Sequence, residues 1–382
     1  MSPQAARKPA LNKNIGIVKQ AETRPSRAFK ERIEAIDLAR GFAIALMILS
    51  HGVKGLISFD DYPTWGLVPI HLVTKFSSSL FILVFGVCLA VAYMPHVGTA
   101  RWSEKRKGLL IRGLTILFWY KVLTVVEMFH LYSREDIINA LLYKSFPVYV
   151  EILGFYGIAL LWVPFALSLW RVLPLAVRIL VPVGLAYACH WLTLNFDFFG
   201  VPQIQALLVE HDDYYTWGQL SRAPLIFLGM LVGELILYLR VRKPTFGILS
   251  ASHLLIGTGV ALFASFLWVA WPGVYEALHA IALNKGKHPP ELAFMLFSLA
   301  GAFFVFGLAV LGGNLWAKRL KLITTLGNDA MGAFIFHACV LFVGYRFLCD
   351  YWLKVSYGKA LMLALAMIVM TSMWIKVKQW AR

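Results

Sequence analysis

From Ile36 onward the chain alternates long apolar runs with short polar or basic stretches. Several of the runs exceed about 18 residues, enough for a helix to cross the hydrocarbon of a bilayer. None shows the ten-residue alternation that a transmembrane barrel strand needs. The pattern predicts an all-α, polytopic transmembrane helical bundle, with helices over 36–58, 72–94, 108–129, 147–169, 173–194, 220–239, 247–271, 292–312, 322–345 and 360–376.

The polar stretches between these runs alternate in character. Arg101 to Lys107, Arg171, Arg240 to Lys243 and Lys318 to Lys321 are basic, whereas Asp60 to Trp65 and Glu210 to Asp213 are acidic and aromatic. Lysine and arginine collect on the cytoplasmic side of membrane proteins, so ten helices with both termini cytoplasmic satisfy the bias at every turn. Residues 1–32 carry Arg7, Lys8, Lys13, Lys19, Arg24, Arg27, Lys30 and Arg32 without a short apolar core and cleavage site. They read as a disordered basic cytoplasmic tail rather than a signal peptide. Residues 33–382 then form one membrane domain, with no space between helices for a second, soluble one.

Composition sharpens this picture. Of 382 residues, 59% are hydrophobic and only 15% charged, which excludes a soluble globular protein. The formal net charge of +16 follows from the basic loops and tails. No base-reading motif is present, and the aromatic residues lie inside the apolar runs, so nucleic acid is not an expected partner. The basic face suits anionic lipid or a phosphorylated co-substrate. Cys88, Cys189, Cys339 and Cys349 are scattered, without metal-ligand spacing. Gly-rich phosphate loops and nucleophile elbows are absent too.

A few polar residues interrupt the apolar runs. Asp37, Arg40 and His51 occupy the first helix, and at about 100° per residue all three fall on one stripe. Ionisable groups are costly in hydrocarbon, so the stripe is expected to face other helices or a wet cavity. His51 lies about 16 Å beyond Arg40 along the axis, at 1.5 Å per residue. Histidine titrates near neutrality and suits a general base for an incoming hydroxyl or amine. The structural alternative is a helix-start ion pair with a hydrogen-bonded histidine. Arg106, Lys107 and Arg112 form either a topology signal or a docking surface for the phosphates of a nucleotide-bearing donor, which guanidinium groups grip in bidentate fashion. Lys75 opens the second helix beside serines that favour close helix packing. Lys285 to Glu291 contains Pro289 and Pro290 and is either a helix-entry cap or a cavity mouth lined by Lys287 and His288. His337 is mid-membrane, where a core histidine with a satisfied hydrogen bond is the simplest reading.

Together these residues resemble a known family. Arg32-x-x-x-Ile36-Asp37-x-x-Arg40-Gly41 followed by His51 resembles the opening signature of the transmembrane acyltransferases, related to the acyltransferase type 3 family. Lys287-His-Pro-Pro-Glu-Leu-Ala-Phe294 resembles the Lys-x-Pro-Pro segment of the heparan-α-glucosaminide N-acetyltransferase catalytic-domain branch. Phe81 to Gly86 and Gly327 to His337 are similar to that branch's second and late helices, although Asn328 and Asp329 replace its usual Gly-Arg-x-x-Leu pattern.

The resemblance implies transfer of an acyl group, typically acetyl, from cytoplasmic acyl-CoA to a hydroxyl or amine of a glycan or lipid-linked sugar at the opposite face. His51 matches the histidine that the wider superfamily uses; in the glucosaminide branch the key histidine is associated with the loop after the first helix. On this reading His51, Arg40 and Asp37 are catalytic, with Asp37 or a neighbouring polar group orienting His51. Arg106, Arg112 and Lys75 bind acyl-CoA as a co-substrate, without a permanent cofactor or metal. Lys287, His288 and His337 bind the acceptor. The bilayer of a bacterial cytoplasmic membrane is the expected setting, and an oligomer is compatible with it. A transporter or flippase using the same buried charges as a substrate path is the competing class, and a non-catalytic subunit of a polysaccharide assembly a third.

Overall fold

A computed structural model describes residues 33–58, 69–242 and 247–381. The basic tail 1–32, the loop Asp60 to Trp65 and Lys243 lie outside these described residues. The fold is all-α: among the described residues there are only two isolated β-bridges, Ile57 with Val355 and His211 with Tyr214. Among the described residues, ten helices are long and apolar enough to cross a membrane.

In chain order the helices are α1 (Glu34–Leu56), α2 (Pro69–Val73), α3 (Phe76–Ala92), α4 (Trp102–Met128), α5 (Arg134–Leu141), α6 (Glu151–Val172), α7 (Leu175–Asn195) and α8 (Pro202–Leu208). They continue as α9 (Gln219–Arg242), α10 (Gly247–Ala270), α11 (Val274–Ala282), α12 (Leu292–Arg319), α13 (Lys321–Asn328), α14 (Ala330–Cys339) and α15 (Tyr357–Trp380), with α14 prolonged by a π-helical segment, Val340–Leu348. Two expected spans are built differently. The second is broken at Thr74 and Lys75, between α2 and α3. The ninth is not one helix over 322–345: Asp329 interrupts it with non-helical dihedrals (φ −129°, ψ 67°) and caps α14 by accepting from Gly332 N at 3.0 Å. The third span starts at Trp102, so Arg106 lies within a helix rather than before one.

Helix α1 is the axis of the bundle. It packs on α3, α12, α13 and α15. Its residues enter two hydrophobic clusters, one through Ile44 and Ile48, the other through Leu38, Ala39 and Ala43. By contrast α7 and α10 keep most of their apolar surface outward, as helices facing lipid do. Small residues let backbones touch where α1 is most enclosed. A methyl group on Gly327 of α13 would sit 1.8 Å from the Asp37 carbonyl oxygen, and one on Gly41 would sit 2.0 Å from the Ile323 carbonyl oxygen. Serines add polar pins: Ser77 Oγ donates to Ala43 O at 2.8 Å, and Ser79 Oγ meets Ser298 Oγ at 2.7 Å. Interhelical bonds of this kind contribute about 0.6 kcal/mol each.

Gly327→Ala therefore forces α13 away from α1, and a loss of roughly 1–3 kcal/mol is expected from the overpacking. Gly108→Ala on α4, where a methyl group meets open space, is expected to leave stability level or raise it by up to about 1 kcal/mol through helix propensity. Thermal unfolding of the two detergent-solubilised variants checks the contrast. Equal melting temperatures would mean that the α1–α13 contact is loose.

Candidate functional site

A cavity of about 60 Å³ lies beside the C-terminal half of α1. Its wall is formed by Ser50 and His51 of α1, Lys75 at the break before α3, Phe81 of α3, Tyr149 ahead of α6, Tyr215 and Trp217 ahead of α9, and Asn284 and Lys287 between α11 and α12. Segments far apart in sequence thus converge around one histidine.

The hydrogen bonds of that histidine define its chemistry. His337 of α14 is buried, and its Nδ1 lies 3.1 Å from the Ala333 carbonyl oxygen. A carbonyl only accepts, so Nδ1 of His337 carries the proton and its Nε2 is an acceptor. His51 Nδ1 lies 3.3 Å from that Nε2 and is the donor. In the neutral form of the pair the lone pair of His51 is consequently on Nε2, the nitrogen not engaged by His337. Proton positions follow here from the hydrogen-bond network. The Tyr149 ring stands edge-on to His51, with centroids 5.2 Å apart.

Two buried carboxylates outside the cavity fix the loops around it. Glu127 of α4 accepts from the backbone N–H groups of Val148, Tyr149 and Val150 at 2.8–3.2 Å. Arg346, on the π-helical segment, donates to the carbonyl oxygens of Val126 and Glu127 and lies over the Phe342 and Trp352 rings. This clamp sets the position of Tyr149. Glu210 accepts from Arg222 Nε at 2.8 Å, Ser221 Oγ at 2.6 Å and His288 Nδ1 at 2.8 Å. Arg222 also donates to the Lys287 carbonyl oxygen at 2.6 Å. Burial alone would raise the Glu210 pKa, but the Arg222 charge and the bonds from His288 and Ser221 outweigh it and hold the carboxyl below its usual range. Burial lowers His288 to about 4 against the pull of Glu210. Burial and the Arg222 charge bring Lys287 down to about 7.

The expected site residues separate into two centres. His51, Lys75 and Lys287 line the cavity, with His337 directly behind His51. His288 is turned away from the mouth where it was expected, because Glu210 and the rings of Tyr215 and Trp217 engage it. Asp37 and Arg40 form the second centre, at the other end of α1. Arg40 Nη2 donates to Asp37 Oδ1 at 3.3 Å and to Cys88 Sγ at 3.4 Å. His337, rather than Asp37, therefore orients His51. Arg106 and Arg112 are exposed on α4 and do not line the cavity. Lys75, grouped with them as a donor ligand, is instead buried beside His51.

Sequence reasoning missed Lys54, Tyr149, Tyr215, Asn284, Glu210 and Arg222. Lys54 had a signal, since it falls three residues after His51 and so on the same helix face. Glu210 stood out only as part of an acidic, aromatic stretch between helices. Nothing local marks Asn284.

A family model described as "Heparan-alpha-glucosaminide N-acetyltransferase, catalytic" matches residues 32–263, more than half of the chain. No curated protein matches it.

The Glu210 cluster generates a stability prediction. Glu210→Gln leaves Arg222 buried without its counter-charge, at a cost of about 3–5 kcal/mol near neutral pH. Glu210 titrates lower folded than unfolded, so its contribution is present above the unfolded value of about 4.3 and is lost as pH falls from there through the lower folded value. The gap in melting temperature between parent and variant should therefore be wide at pH 7.5 and narrow below about pH 4. A gap that is absent at pH 7.5 would show that Glu210 does not hold the loop.

Proposed function

The chain belongs to the heparan-α-glucosaminide N-acetyltransferase catalytic family, a membership that makes it a membrane acetyltransferase, and we propose that it moves the acetyl group of acetyl-CoA onto a hydroxyl or amine of a glycan or lipid-linked sugar with His51 as general base. The observation that carries this reading is the His51–His337 pair at the cavity wall. Its tautomers leave a basic nitrogen free on the residue that lines the cavity.

In the proposed reaction the acceptor enters at the end of the bundle that holds Lys75, Tyr215 and Lys287. The donor approaches from the other end, where Arg40, Arg106 and Arg112 supply guanidinium groups for its phosphates. Between the two ends Phe81 lines the cavity and also packs edge-on against Tyr156, whose electrostatic neighbours are Cys88 and Arg40. This row of side chains supports an approach of the thioester to His51 from the Arg40 end.

As the acceptor oxygen or nitrogen bonds to the thioester carbonyl carbon, His51 Nε2 takes the acceptor's proton. The carbon–sulfur bond then breaks, and its electron pair leaves on sulfur. The proton held by His51 passes to that thiolate, giving free coenzyme and the acetylated acceptor. During this sequence His337 Nε2 keeps accepting from His51 Nδ1–H, so the imidazolium is stabilised without turning. The positively charged side chains around the cavity favour the negative charge that develops on the carbonyl oxygen.

Thiol release from acetyl-CoA by the purified chain, with product mass spectrometry, tests the proposal. His51→Ala is expected to lower turnover by roughly 10²- to 10⁴-fold, the usual contribution of a general base. His337→Ala frees the orientation and tautomer of His51. It is expected to lower kcat by about tenfold or more while KM for acetyl-CoA stays near the parent value. Turnover that survives His51→Ala would remove the base from the mechanism.

A further inference from the structure

Three lysine amines gather in or next to the cavity beside His51, and among the described residues none of them pairs with a carboxylate. Lys75 and Lys287 line it. Lys54 lies one turn beyond His51 on α1, its amine meets that of Lys75, and both Lys54 and Lys287 act electrostatically on His51. Their hydrogen bonds go to neutral groups: Lys75 Nζ donates to Asn284 Oδ1 at 2.6 Å, and Lys287 Nζ to Tyr215 OH at 2.8 Å. Among the described residues no ion pair joins any of the three to a carboxylate. Glu210, a carboxylate that acts electrostatically on Lys287, is already held by Arg222, His288 and Ser221.

Like charges brought together out of water are unfavourable unless an opposite charge joins them. An ammonium group has donors and no lone pair, so Lys54 and Lys75 cannot hydrogen-bond to one another while both keep their charge. An oxyanion placed among three such amines would accept from all of them, and charge-assisted bonds of this type are about twice as strong as neutral ones. The rings of Tyr149, Tyr215 and Trp217 line the same space.

We propose that Lys54, Lys75 and Lys287 form a binding subsite for a carboxylate or phosphate on the acceptor, which holds an acidic sugar with its neighbouring hydroxyl or amine against His51. The proposal rests on His51 as the base of acetyl transfer. The donor's phosphates are the other source of such an anion. The subsite is assigned to the acceptor because it lies at the opposite end of α1 from Arg40, by about 16 Å of helix, with the loops that precede α9 and α12.

The test uses the full chain in detergent with acetyl-CoA and four probe acceptors: glucose, glucosamine, glucuronate and glucose 6-phosphate. The acidic probes are expected to be acetylated with kcat/KM at least about tenfold above that of glucose. The comparison of glucuronate with glucose 6-phosphate tells carboxylate from phosphate. Lys54→Gln and Lys75→Gln should raise KM for the acidic probe by about tenfold, leave KM for acetyl-CoA in place, and be partly rescued by Lys54→Arg. In parallel, millimolar inorganic phosphate should raise the melting temperature of the parent above a chloride control of equal ionic strength, and do so less in the glutamine variants.

Equal use of glucose and the acidic sugars overturns the proposal, and because that comparison is made on the parent it holds even if the variants do not fold. A rise in KM for acetyl-CoA instead would move the lysines to the donor and overturn it likewise. Acetyl transfer without any phosphate effect on stability or on acceptor KM removes the subsite and keeps the base. A phosphate effect that needs the lysines, in a chain that transfers acetyl to nothing, keeps the subsite and removes the acetyl-transfer reading.

Discussion

Charge carried into a hydrocarbon layer must be enclosed by protein, and the bundle is arranged around that requirement. Helix α1 brings Asp37, Arg40, His51 and Lys54 into an otherwise apolar span. A charged side chain at the centre of a lipid-facing helix costs at least about 2.5–3.5 kcal/mol. Arg40 is instead met by Asp37 and Cys88, and His51 by His337. Enclosing one helix on all sides requires close neighbours, which explains the touching backbones at Gly41 and Gly327. The tight packing of α1 and the enclosure of Arg40 and His51 within it are consequences of the same constraint.

The buried carboxylates show a second use of charge. Glu127 and Glu210 line no part of the cavity, yet each fixes a segment that does. Glu127 satisfies three consecutive N–H groups where the chain turns into α6, a place where no helix can satisfy them. Glu210 pairs with Arg222 and through it reaches the Lys287 carbonyl. Loops at the end of a helical bundle have little regular structure to hold them. A charged hydrogen bond in a buried setting supplies the missing rigidity, and so sets where Tyr149 and Lys287 stand relative to His51.

The spans themselves were legible because length and hydropathy alone determine a membrane helix. The interruptions at Lys75 and Asp329 were not, since both depend on local capping and on neighbours that the apolar pattern hides. The residues of the site were legible as types but not as partners. His51, Lys75, Lys287 and His337 each stood out as polar in an apolar context, and they do gather. Their separation from Asp37 and Arg40 depends on depth, which the shared helical stripe conceals: residues on one face of a helix can still be three turns apart. His288 was misplaced for a related reason, because the Lys-x-Pro-Pro segment fixes a loop but says nothing of Glu210, 78 residues earlier. The double-histidine arrangement was beyond sequence reasoning, as it joins positions 286 residues apart.

Enzymes commonly orient a basic histidine with a carboxylate; here a second imidazole, itself fixed by the Ala333 carbonyl, takes that place. The substitution has an electrical consequence. A bilayer potential does work on charge, about 2.3 kcal/mol per elementary charge for each 100 mV crossed. The resting imidazole pair bears no net charge and offers the field nothing to move. In the proposed reaction the membrane voltage therefore acts only through the protonated form of the pair.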